Sequence, residues 1–85
     1  MDRFDRRVVV LPPGRTRAYD PGEWRDALVV VEAGAVDVED DAGVRVRFRA
    51  GGVFTLDRVA GRALHNAGPD AAVLRVVSRR LRAVS

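Results

Sequence analysis

Turn signals break this chain at short intervals. Pro12-Pro13-Gly14, Asp20-Pro21-Gly22, Asp40-Asp41-Ala42-Gly43, Gly51-Gly52, Gly61 and Ala67-Gly68-Pro69-Asp70 follow one another with only short, valine-rich runs between them. No run has the length or the periodicity of an amphipathic helix. That rhythm specifies an all-β sandwich or barrel. The predicted strands are Arg6–Leu11, Ala27–Glu32, Ala35–Glu39, Val44–Arg49, Val53–Leu56, Ala63–Asn66 and Ala72–Ser78. With 85 residues the chain makes one domain. A domain of that size buries only about 60% of its unfolded surface, so its core is marginal and association would help it.

The clearest local element is a hairpin. Val36 and Val38 alternate with Asp37 and Glu39, and Val44, Val46 and Phe48 alternate with Arg45, Arg47 and Arg49. Period-two alternation puts the apolar set on the core face and the charges in water. A loop of Asp41-Ala42-Gly43 would end on a left-handed residue, which glycine tolerates. That register pairs Glu39 with Arg45 and Asp37 with Arg47 as an exposed ion-pair ladder. Three other runs do not alternate: Val8-Val9-Val10-Leu11, Ala27-Leu28-Val29-Val30-Val31, and Val73-Leu74 with Val76-Val77. Strands apolar on both faces need cover on both sides. The chain is too short to supply it, so the expected cover is a second copy, in a homodimer.

Composition excludes several functions. There is no cysteine, hence neither a disulfide framework nor a thiolate metal site. All 15 basic residues are arginine, a bias of the kind a GC-rich genome produces, and the net charge is only +3. Arg and Asp are interleaved rather than gathered on one face, so nucleic-acid binding is not expected. The start, MDRFDRRVVVLPP, has neither the apolar core of a signal peptide nor a membrane-spanning run. The expected location is the cytoplasm, away from membranes.

Two glycine-framed segments carry a more specific signal. Gly14 and Gly34 bracket the first, and Gly51 and Asn66 the second. Their internal spacing resembles the two signature motifs of the cupins, and Leu64-His65-Asn66-Ala67-Gly68-Pro69 followed by an apolar run is similar to the last cupin strands. The resemblance implies a small cupin-like jelly-roll barrel over residues 6–78, with a tail over 79–85. In that alignment the two histidine slots of the first motif fall on Asp20 and Gly22, and the glutamate slot on Ala27. In the second motif the proline, glycine and histidine slots fall on Asp57, Val59 and Arg62. A cupin metal centre is built of three imidazoles and a carboxylate, and this chain has one histidine. The resemblance therefore implies the fold without its metal: no metal and no other cofactor is expected.

Within that frame, Arg62 is the leading site candidate. It would point into the barrel near Asp20, either as an ion pair plugging the vacated metal site or as a fork for an anionic ligand. Tyr19 and Trp24 flank the same segment and could wall an apolar pocket or simply join the core. His65 is the one group that titrates near neutral pH by default. Strand alternation puts it on the face opposite Arg62, so it is expected outside the barrel, with acid–base catalysis as the lesser role. The resulting expectation is a dimeric binding or accessory module for a small anionic or mixed polar–apolar molecule. The alternatives are a cofactor-independent isomerase or cyclase in the same cavity, and an interaction module with a plugged barrel.

Overall fold

The computed structural model of the chain describes residues 4–18, 20, 24, 27–55 and 61–79, with the backbone alone described at 61, 62 and 79. The described residues form eight strands: β1 (Phe4–Leu11), β2 (Thr16–Ala18), β3 (Ala27–Ala33), β4 (Ala35–Asp40), β5 (Arg45–Arg49), β6 (Val53–Thr55), β7 (Gly61–His65) and β8 (Ala72–Arg79). They make two four-stranded sheets, ordered β1-β8-β3-β6 and β2-β7-β4-β5, with every pairing antiparallel. Among the described residues no helix is long and apolar enough to cross a membrane.

Alternation decides what each sheet buries. In the first sheet Val9 and Leu11 of β1, Ala27, Val29 and Val31 of β3, Phe54 of β6, and Ala72, Leu74 and Val76 of β8 face the core. In the second sheet Val36 and Val38 of β4 and Leu64 of β7 meet them. The runs that read as apolar on both faces are buried on one face only. Val8, Val10, Leu28 and Val53 remain exposed on the outer face of the first sheet.

The hairpin has the register its alternation predicts, with Glu39 opposite Arg45 and Asp37 opposite Arg47. Gly43 adopts φ 82°, and the Asp40 carboxylate accepts from the backbone N–H of Ala42 and of Val44. Two details depart from expectation. Val44 and Val46 lie on the inner side but stay 56% and 51% exposed, because β5 is the edge strand of its sheet. Asp37, expected in water, is only 8% exposed, because Arg47 and His65 close over it from the strands on either side. Strand β2 was not predicted: three residues, Thr-Arg-Ala, carry too little pattern. The predicted Val53–Leu56 strand is β6 as far as Thr55; Leu56 and the tail from 80 onward lie outside the described residues.

The corners are fixed by Asn66 and Gly34. Asn66 is buried at the end of β7. Its amide nitrogen donates to the carbonyls of Leu11 and Asp70 at 2.8 Å each, and its Oδ1 accepts from the N–H of Gly68 at 3.0 Å. Its backbone also exchanges bonds with Gly14 and Arg15. Gly34 joins β3 to β4 at φ 74°, where a Cβ would stand 2.6 Å from the carbonyl oxygen of Ala71.

Replacing Asn66 by Ala leaves two carbonyls and one N–H without their partner, at about 1–3 kcal/mol for each group that stays buried. A change of ~1 kcal/mol moves the melting temperature of a domain this size by about 4–8 °C. Asn66→Ala is expected to lower it by at least that much in a thermal scan. A melting temperature within a degree of the wild type would contradict the latch.

Candidate functional site

Residues paired directly across antiparallel strands share a face. One inner row of the first sheet therefore reads Arg7, Val76, Val29, Phe54, in order across β1, β8, β3 and β6. In the second sheet the matching row reads Arg17, Leu64, Val38, Val46, across β2, β7, β4 and β5. Each row is buried and aliphatic in the middle, cationic at one end and apolar at the other, where Val46 stays half exposed. Strands lie about 4.8 Å apart, so the ends of a row are roughly 14 Å from each other. The sandwich thus has two unlike seams.

At the β1–β2 seam, Trp24 fills the space between the sheets and is fully buried. The guanidinium carbon of Arg7 lies 5.1 Å from the centre of its ring, and that of Arg17 lies 6.0 Å away. Cations so placed are attracted to the indole face. The backbone N–H of Trp24 donates to the carbonyl of Asp20 at 3.0 Å.

At the β5–β6 seam the sandwich is open. Val38, Val44, Val46, Phe48 and Phe54, with Asp40 at the rim, line a cleft of about 210 Å³. Phe48 and Phe54 stack across it with centroids 4.5 Å apart. The cleft lies between the edge strands β5 and β6, where the inner valines of the hairpin reach the margin of the sandwich.

The outer face of the second sheet carries a polar cluster. His65 sits between Thr16 and Glu39, its Nδ1 2.8 Å from the threonine hydroxyl and its Nε2 2.6 Å from the Glu39 carboxylate. A carboxylate only accepts, so Nε2 carries the hydrogen, and with the ring neutral Nδ1 accepts from Thr16. Arg45 reaches Glu39 at 3.5 Å. Beside them Asp37 accepts two hydrogen bonds from Arg47, at 2.8 and 3.2 Å. That forked bond, with the charges of Arg47, Arg45 and His65, holds the Asp37 carboxyl below its ordinary value against the opposing effect of burial.

The predicted site residues divide accordingly. Trp24 is a core residue between two arginines, and Arg7 and Arg17 are site groups that the sequence reading missed. Their signal was available only through Trp24, since the partners lie on strands with no special pattern. Asp20 is exposed and has an interaction partner. Tyr19, Gly22, Asp57, Val59 and the side chain of Arg62 lie outside the described residues. His65 lies outside the barrel, as expected.

A cupin metal does not fit the side chains that are described. Ala27, which the motif resemblance puts at the glutamate slot, is a buried methyl. The chain's one histidine is on the outer face with both nitrogens engaged. Among the described residues no three His, Asp or Glu side chains gather closely enough to hold an ion.

The fold is that of a small cupin. The chain superposes on the cupin domain of an XRE family transcriptional regulator from Enterobacter cloacae with a TM-score of 0.75 at 20% identity, over 94% of this chain and 84% of that one. It superposes on a cupin conserved barrel domain protein from Salinispora arenicola with a TM-score of 0.71 at 22% identity, over 91% of this chain and 64% of that one. No protein-family model and no curated protein matches the sequence.

The Asp37–Arg47 fork predicts an acid limb in stability. The folded carboxyl titrates below the unfolded one, near 3.9. The stabilisation is therefore fully present above the unfolded value and lost as pH falls through the lowered folded one. Asp37→Asn should be less stable than wild type at pH 7, and the gap should close between about pH 5 and pH 2. Melting temperatures that fall in parallel for both proteins across that range would contradict the assignment.

Proposed function

We propose that this cupin-like domain is a metal-independent binding module whose ligand enters the β5–β6 cleft. The observation that carries the reading is the cleft itself: an apolar hollow of about 210 Å³ floored by a stacked phenylalanine pair. Small-molecule sites are concave and mostly apolar, with few polar groups. A hollow of that size suits one small apolar ring, since an apolar cavity of about 150 Å³ takes up benzene. The one charged lining group, Asp40, already uses Oδ1 to hold its own turn. A cofactor-independent isomerase would need an acid–base group within the cleft, and the lining otherwise offers valine and phenylalanine. The Enterobacter neighbour is a domain of a transcriptional regulator, a setting that suits a binding role better than a catalytic one.

Indole is the probe that tests this. Its titration should shift the methyl resonances of Val38, Val44 and Val46 saturably, and chelator-treated protein should behave identically. Val46→Asp should abolish the shifts with little loss of stability, because the position is half exposed. Shifts absent, or requiring an added metal, would defeat the reading.

We also propose that the domain works as a dimer through the outer face of its first sheet. Val8, Val10, Leu28 and Val53 are exposed there around an Arg75–Glu32 pair of 2.9 Å. An apolar face with an internally neutralised centre is self-complementary about a twofold axis, the commonest closed arrangement. Sedimentation equilibrium should give a dimer at micromolar concentration, and Leu28→Asp a folded monomer. A wild-type monomer of 9.3 kDa would refute the interface.

A further inference from the structure

The β1–β2 seam contains chemistry that the apolar cleft does not use. Trp24 is fully buried, yet its Nε1–H has no hydrogen-bond partner among the described residues. Buried donors are nearly always satisfied, and one that is not calls for an acceptor. The groups closest to the ring cannot supply it. Arg7 and Arg17 are themselves donor-only and permanently charged, as indole is donor-only. Arg7, Arg17 and Asp20 each have a further interaction partner. A guanidinium carries more N–H donors than one such partner takes. A buried indole donor without an acceptor thus lies beside two guanidiniums, at the seam of β1, β2 and the segment before β3.

We propose that this seam binds a small monocarboxylate. One carboxylate oxygen accepts from the indole Nε1–H, and the other accepts from the guanidinium of Arg7 or Arg17. The planar pair of oxygens matches the guanidinium fork, and charge-assisted bonds of this kind are the strong ones. A single negative charge is also less costly to bury than the double charge of a phosphate. The site is independent of the β5–β6 cleft. The two lie at opposite ends of the inner rows, with Leu64, Val76, Val29 and Val38 packed between them. Neither proposal depends on the other.

The single tryptophan makes the test direct, because the chain has one indole N–H resonance. The full chain, labelled with nitrogen-15, is titrated with sodium acetate, with sodium phosphate and with sodium chloride at matched ionic strength. Acetate should move the indole proton downfield along a saturating curve. Arg7→Gln and Arg17→Gln should each weaken that binding at least tenfold, while Arg45→Gln, on the outer face, should leave it unchanged. Trp24→Phe keeps an aromatic core residue and removes the donor, so calorimetry on it should show no acetate heat. If either arginine variant fails to fold, the other and Trp24→Phe still decide. An indole resonance that stays fixed, or drifts linearly and equally with all three salts, would overturn the site. Phosphate binding as tightly as acetate would overturn the carboxylate assignment.

Discussion

One buried amide ties the corner where the two sheets exchange the chain. Asn66 closes β7 in the second sheet, and its side chain donates to the end of β1 and to the loop leading into β8, both in the first. The backbone bonds from Gly14 to Asn66 and from Asn66 to Arg15 set where β2 begins. A two-layer sandwich needs its layers held in a fixed offset before side chains can interdigitate. An amide with two donors and an acceptor fixes three backbone groups at once, which no apolar residue could do. The φ 74° turn at Gly34, pressed against Ala71, tightens the neighbouring corner.

With the corner fixed, strand order decides the rest. The inner rows match in their middles, so Leu64, Val38, Val29 and Val76 pack to near-complete burial. They do not match at the edges. At one edge an indole and two guanidiniums fill the gap between β1 and β2. At the other, the inner valines of the edge strand β5 stay half exposed. The resulting polarity, cationic at one seam and apolar at the other, is the basis for assigning the two seams different ligands.

The outer faces divide in the same way. The second sheet shows water a network of Asp37, Glu39, His65, Arg45 and Arg47, whose members satisfy one another. Such a network is stable in solvent and offers little to a partner. The first sheet shows valine and leucine around an Arg75–Glu32 pair, with Arg6 beside them. An antiparallel sheet can be wet on one face, but this one would leave its wet face apolar. Association is the physical remedy.

The sequence alone determined the class, the hairpin and the turns. Val36 to Phe48 alternate strictly, and a period of two has one meaning, so register, turn and the φ of Gly43 followed. The glycines marked turns because few other residues tolerate those backbones, whereas Asn66 read as a strand residue and its three bonds belong to the tertiary structure. The sequence also placed His65 outside the barrel, since alternation from Leu64 leaves no other choice. What the sequence could not supply was which apolar residues are covered. Val44 and Val38 read alike, and only the sheet order, with β4 inside and β5 at the edge, makes one exposed and the other buried. Nor could it bring Arg7 and Arg17 to Trp24, because their approach depends on how two unpatterned edge strands meet across a seam. Asp37 was read as solvated because its partners on the same face, one from each neighbouring strand, are set by pairing rather than by local pattern. Periodicity fixes the face a residue takes; only the packed tertiary structure decides what lies against it.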